Sequence, residues 1–235
     1  MRFTKGLMAA AATLALAIGA AQAEDMMKLK IGTEGAYPPF NNLEADGSLV
    51  GFDIDIAKAL CAEMKADCEF VTQDWDGIIP ALLAGKFDAI IASMSITDER
   101  KETVDFTNKY YNTPPAIAVP KDSDITEATD AGLAGKTMGA QSSTTHSNYA
   151  EEKLPSAELK LYPTPDEYKH DGACCKLLGT LVPDPVINGQ GAGIAVRKGE
   201  DELREKLNTA IAAILANGTY KEINDKYFDV DVYGG

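Results

Sequence analysis

Ser93, Ser95, Thr97 and Arg100 follow one another at the end of an apolar run from Phe87 to Ser93. Hydroxyls beside a guanidinium suit carboxylate recognition, because the planar fork of arginine grips two oxygens while neighbouring hydroxyls donate alongside. A solvated surface arginine is the competing account: Arg100 in a first helical turn opposes the helix dipole, and Asp98 and Glu99 offset it locally. Ser142, Ser143, Thr144 and Thr145 form a second hydroxyl group just ahead of a helical pattern, where unpaired amides accept an anion. Ordinary N-capping explains the same residues equally well. Tyr37, in a Gly-Ala-Tyr-Pro-Pro turn, and Trp75, between Asp74 and Asp76, are aromatics in polar surroundings. They can pack on their own core, or sandwich the stem of a long side chain and attract its cationic end. Glu34 then offers either a counter-charge or a solvated cap, and Asp53 reads as a structural helix N-cap.

Catalytic and metal chemistry find little support. His146 and His170 are the only histidines, and no GxSxG, HExxH or glycine-rich phosphate loop occurs. No catalytic residue, metal ligand or cofactor site is assigned. Cys61 and Cys68, seven apart between a predicted helix and strand, can close a disulfide in an exported protein. Cys174 and Cys175 are adjacent and outside any CxxC pattern; they read as structural or as a vicinal pair.

The elements that must position these groups follow a β-loop-α rhythm. A strand at Leu29–Thr33 precedes a helix from Phe52–Asp53 with Ile56, Leu60 and Met64 on one stripe. Next come a strand at Glu69–Val71, a helix ending at Gly85 and a continuous apolar strand from Phe87 to Ser93, the pattern of a parallel sheet covered on both faces. The hydroxyl and carboxylate candidates lie at the carboxyl ends of these strands, where open α/β sheets bind ligands. After Asn112-Thr113-Pro114-Pro115 the rhythm restarts, with a strand at Lys136–Gln141, a helix at Thr145–Leu154 and a strand at Glu158–Tyr162. A last strand, Ile194–Arg197, and a helix closed by Asn217-Gly218 return to the first unit. The expected fold is therefore α/β and two-lobed, with residues 24–112 and 189–235 in lobe one and 113–188 in lobe two.

Residues 1–23 read as an export signal: Arg2 and Lys5 precede an apolar run and an Ala21-Gln22-Ala23 site. Removing those two cations leaves 20 basic against 36 acidic side chains, near −16, a poor match for nucleic acid or anionic membranes. The expected product is a periplasmic monomer.

Gly-Thr-Glu-Gly-Ala-Tyr-Pro-Pro-Phe, Gly-Phe-Asp-Ile-Asp-Ile-Ala, Asp-Trp-Asp-Gly-Ile-Ile-Pro, Ser-Met-Ser-Ile-Thr-Asp-Glu-Arg and Asn-Gly-Thr-Tyr together resemble the periplasmic polar amino-acid-binding proteins of ABC transporters. The lysine/arginine/ornithine-binding subfamily is the nearest likeness. The resemblance implies a type II periplasmic-binding-protein fold that captures a basic amino acid between its lobes and delivers it to an inner-membrane ABC permease. It implies that Arg100 holds the ligand α-carboxylate with Ser95 and the Ser143–Thr144 region, and that Ser93 meets the α-ammonium. Tyr37 and Trp75 would flank the side chain, Glu34 would face its distal cation, and Cys61 would pair with Cys68. The family pattern is interrupted between Lys169 and Asp171, where about 25 residues carrying a strand, its helices and an acidic ammonium ligand are missing. Lobe two is thus expected to be shortened, leaving apolar residues such as Val182, Val186 and Ile187 exposed. A truncated copy with impaired binding is one alternative; a dehydratase on the same fold, using Glu34 as its acid, is another.

Overall fold

The computed structural model describes residues 26–165 and 175–234. The proposed export signal, Asp166, Glu167, His170, Asp171 and Cys174 lie outside the described residues.

The chain begins with β1 (Met27–Thr33), β2 (Ala36–Tyr37), β3 (Asn41–Leu43), β4 (Leu49–Val50) and α1 (Phe52–Glu63). It continues through β5 (Ala66–Thr72), α2 (Trp75–Leu83), β6 (Ala89–Ile90), α3 (Asp98–Lys101) and β7 (Val104–Tyr111). Next come β8 (Ala116–Pro120), β9 (Thr137–Gln141), α4 (Thr145–Lys153), β10 (Glu158–Tyr162), β11 (Cys175–Thr180) and α5 (Pro185–Asn188). The tail forms β12 (Ala192–Arg197), α6 (Asp201–Ala216) and α7 (Thr219–Tyr227).

Five strands make the main sheet in the order β5-β1-β6-β12-β7. β1 runs parallel to β5 and β6, whereas the returning β12 is antiparallel to β6 and β7, so the sheet is mixed rather than wholly parallel. Strand alternation splits its side chains between two cores. Leu29, Ile31, Ala89, Ile91, Ile194 and Val196 join α1, α6 and α7 on one face; Ile90 and Ala195 join α2 and Phe87 on the other. The disulfide between Cys61 and Cys68 ties the end of α1 to β5. Cys175 is also disulfide-bonded.

Two further expectations from the sequence, the long strand and the Asp53 cap, need correction. The apolar run Phe87 to Ser93 yields a strand of only Ala89–Ile90. Its ladder bonds extend from Asp88 N–H to Lys30 (2.8 Å) and from Ile91 N–H to Gly32 (3.0 Å), after which Ser93, at φ 54°, turns the chain. Asp53 is not the N-cap of α1. Gly51 holds that position at φ 126°, and a Cβ there would meet the Phe40 carbonyl at 2.3 Å. The first amides of α1 are satisfied by loop carbonyls, Phe52 N–H by Pro39 (3.0 Å) and Asp53 N–H by Phe40 (2.8 Å).

Among the described residues, the second lobe has two separate pairs, β9 with β10 in parallel and β8 with β11 antiparallel. Its core, among the described residues, gathers Ile117, Val119, Leu133, Tyr149, Leu154 and Ile187. Val182 and Val186 are 82% and 86% exposed, as a shortened lobe predicts, but Ile187 is 7% exposed and belongs to the core. The reason is local: α5, capped by Asp184, turns Ile187 inward against α4.

Candidate ligand-binding cleft

Three parallel-strand ends converge where the lobes meet. β1 leads into Glu34, β6 into Ser93 and Ser95, and β9 ends at Gln141. The loop before α4 then crosses toward the first lobe, with Ser143 held at φ 58°.

Arg100 lies at the centre of the junction. It sits in α3, whose N-cap Thr97 accepts from the Arg100 amide at 3.2 Å. One guanidinium nitrogen donates to the Ser95 carbonyl at 3.0 Å; the other crosses to the Ser143 carbonyl at 3.3 Å. The guanidinium carbon stands 5.3 Å from the Trp75 ring centroid, a cation–π arrangement. The Trp75 indole N–H also donates to the Ser143 carbonyl, at 3.0 Å. Among the described residues no carboxylate lies within salt-bridge distance of Arg100. Burial pushes its pKa down to about 10, with Glu99 opposing, so it stays charged at neutral pH.

Other interlobe bonds surround this centre. The hydroxyls of Ser95 and Thr145 are 3.3 Å apart, and Ser142 donates to Asp76 at 3.1 Å. The Gln141 amide donates to Glu34 at 2.5 Å and to the Pro163 carbonyl at 3.0 Å. Thr144 is committed locally: its hydroxyl donates to the Gln141 carbonyl (2.8 Å) and accepts from Ser147 N–H (3.1 Å) in a capping box. Its neighbour Thr145 supplies the hydroxyl that reaches the first lobe. Tyr37 stacks on Phe40 at 5.2 Å, and the Ser93 hydroxyl donates inward to Asp53 at 2.9 Å.

The structure thus brings together Glu34, Trp75, Ser95, Arg100 and Ser143, the last through its carbonyl rather than its hydroxyl. Thr145, from the second hydroxyl group, joins them, as do Gln141 and Asp76, which were not singled out in the sequence. Gln141 had a signal, since it ends a predicted parallel strand just as the residues ahead of Glu34 do.

A separate cavity of about 600 Å³ opens elsewhere on the first lobe and includes Lys101, Lys109, Lys198 and Arg204. Three of those cations are already paired with carboxylates: Lys101 with Asp98, Lys198 with Asp105 and Arg204 with Asp201. Lys109 donates to the Gly234 carbonyl and lies over the Tyr233 ring. In the cleft, by contrast, Arg100 has only neutral partners among the described residues.

Residues 29–230 match the family described as bacterial extracellular solute-binding proteins, family 3. The chain belongs to this family. An L-arginine-binding protein of Pseudomonas aeruginosa is 43% identical, with 88% of this chain and 90% of that one covered. ABC transporter arginine-binding protein 1 of Escherichia coli is 37% identical, with 95% and 99% covered. Among solved structures, a Salmonella typhimurium periplasmic binding protein described as highly specific for arginine superposes with a TM-score of 0.77. It is 32% identical, with 86% of this chain and 99% of that one covered. The family 3 alignment also shows a length difference. It runs over 233 residues with the Pseudomonas aeruginosa protein but takes in 88% of this 235-residue chain, about 207, leaving about 26 positions with no counterpart here. The chain is thus a member of solute-binding family 3 with a shortened interior.

Proposed function

We propose that the protein is a periplasmic, monomeric receptor that captures a basic amino acid, arginine, lysine or ornithine, between its lobes and hands it to an inner-membrane ABC permease. One observation carries the reading: Arg100 is a half-buried cation on the lobe junction with neutral partners from both lobes and, among the described residues, no carboxylate of its own. A ligand α-carboxylate supplies the missing anion and replaces the Ser143 carbonyl as the group that joins the lobes. Glu34, on the same junction, supplies the negative charge for a cationic side chain, and Trp75 with Tyr37 supplies apolar surface for its stem. The arginine-binding names of the relatives support this ligand class, and the transporter name of the Escherichia coli relative supports the permease partner. The lobes, divided near residues 112 and 189, close on the ligand by hinge motion.

Calorimetric titration tests the reading. Arginine, lysine or ornithine should bind more tightly than glutamate or leucine, and tighter binding of glutamate overturns it. A second reading, a truncated copy with impaired binding, is favoured by the second lobe's two strand pairs, which no strand joins among the described residues. Failure of every basic amino acid to bind decides for that reading. The dehydratase alternative needs an acid of raised pKa open to the cleft. Asp53, a carboxyl raised to about 6, is buried behind Ser93 rather than open to the cleft.

A further inference from the structure

Asp53 is 0% exposed and, among the described residues, has only neutral hydrogen-bond partners. Asn41 donates to it at 2.8 Å, Ser93 Oγ at 2.9 Å and the Tyr110 hydroxyl at 2.8 Å. Desolvation is the main reason its pKa rises to about 6, with the bonds from Asn41, Tyr110 and Ser93 pulling the other way. Helix capping does not account for so costly a group, because the loop carbonyls of Pro39 and Phe40 already satisfy the start of α1.

The directions of these bonds suggest its use. An ionised carboxylate only accepts, so the Asn41 amide and the Ser93 and Tyr110 hydroxyls must all donate to it. The Tyr110 oxygen in turn accepts from Ser93 N–H at 3.0 Å, fixing Ser93 in its left-handed conformation at the end of β6. The carbonyl of the Asn41 side chain accepts from Gly35 N–H at 2.8 Å, immediately after Glu34. One buried carboxylate therefore anchors the loops that follow β1 and β6. It also uses the single hydrogen of Ser93 Oγ, whose remaining lone pairs can only accept.

We infer that Asp53 is a positioning residue that makes Ser93 an obligate acceptor and thereby selects ligands carrying an α-ammonium group. This deepens the proposed amino-acid site and rests on that reading. The buried negative charge, one hydrogen bond behind the acceptor, strengthens its attraction for a cationic donor without itself touching ligand.

The test compares L-arginine with 5-guanidinopentanoate, which is arginine without its α-amino group, by calorimetry on the native protein, Asp53→Asn and Ser93→Ala. The native protein should prefer arginine by at least about 100-fold. Both substitutions should cut that preference at least about tenfold while leaving 5-guanidinopentanoate within about threefold. Equal loss for both ligands marks a packing role and overturns the inference, as does an unchanged preference in Ser93→Ala. Should Asp53→Asn fail to fold, the native protein still decides. Arginine stabilises the ionised carboxylate, so the arginine preference should shrink about tenfold from pH 7 to pH 5 as Asp53 takes up a proton. Tyr110 and Tyr111, the titratable groups that feel its charge, stay neutral in that range because burial raises both well above the ordinary phenol value. Protonation elsewhere that acts on the guanidinium or carboxylate end affects both ligands alike and cancels in the ratio. A constant ratio across this range overturns the inference. Absence of arginine binding to the native protein removes the functional reading and this inference together, whereas binding with an unaltered ratio removes the inference alone.

Discussion

Lobe one and lobe two follow one plan to different extents. In lobe one, β6 lies between β1 and β12, parallel to the first and antiparallel to the second, and joins both halves into one sheet. In lobe two, β9 pairs with β10 as β1 pairs with β5, and β11 pairs with β8, but no described strand joins the pairs. Lobe one uses residues 73–90 to build α2 and β6, while only residues 163–174 separate β10 from β11. A central strand both pairs neighbours and carries a row of apolar side chains, so its loss costs hydrogen bonds and core together. Among the described residues, two clusters of twenty and nine buried residues flank the sheet of lobe one, against six in lobe two. The difference teaches that the groups holding a ligand can reside in the intact lobe, with the shortened one contributing mainly backbone and a few hydroxyls.

The largest expected effect tests that asymmetry directly. Arg100→Ala removes the only cation at the lobe junction that lacks a carboxylate among the described residues, and should weaken binding of a basic amino acid by about 2–5 kcal/mol, the cost of truncating one partner of a buried charge pair. Ser143→Ala should cost far less, because Ser143 contributes its carbonyl, which the substitution retains. Comparable losses in calorimetry would show that the second lobe carries as much of the site as the first.

Much of this contrast was legible in the sequence. The interrupted motif pattern anticipated a shortened chain, and the strand-end rule put Glu34 after β1 and Ser93, Ser95 and Arg100 after β6, where the structure has them. What escaped depended on non-local partners. β8 and β11 pair across a long stretch of chain, with a register shift between Leu177 and Gly179, and no local periodicity announces such a ladder. α7 was missed because its sequence is mostly polar, with Tyr220 and Asn224 as its buried residues. Asp53 was misread because an acidic residue beside an apolar helical stripe resembles a cap. Its true environment depends on Asn41, Ser93 and Tyr110, which converge only after the sheet forms.

A smaller effect separates the lobes in the native protein. With fewer buried side chains and a divided sheet, lobe two should open at least ~1.4 kcal/mol more easily than lobe one, a tenfold difference in amide protection. Hydrogen exchange should therefore show faster exchange across residues 136–162 than at Phe87–Ser93 without ligand. Equal protection would show that the shortening is tolerated, and the truncated-copy reading would be dropped.

The smallest effect concerns how lobe two compensates. Lys153, at the end of α4, pairs with Asp184 at 2.8 Å, and the same carboxylate accepts from Val186 N–H at 2.9 Å to cap α5. The bond from Lys153, then the Val186 amide, hold the Asp184 carboxyl below its ordinary value. Since the folded pKa is the lower one, this contribution is complete above the ordinary carboxylate range and is lost as pH falls through the folded pKa. Asp184→Asn separates the two bonds, because asparagine caps a helix about as well but carries no charge. In the native protein, protection in α4 and α5 relative to β1 should decline as the solution is acidified below about pH 4. In the variant it should already be slightly lower at pH 6 and show no such decline. The change should be small, as partly exposed pairs contribute little and are screened by salt. If the variant retains the native acid response, the pair plays no part in holding α5 against α4. The burial of Ile187 would then rest on the cap and on apolar contacts alone.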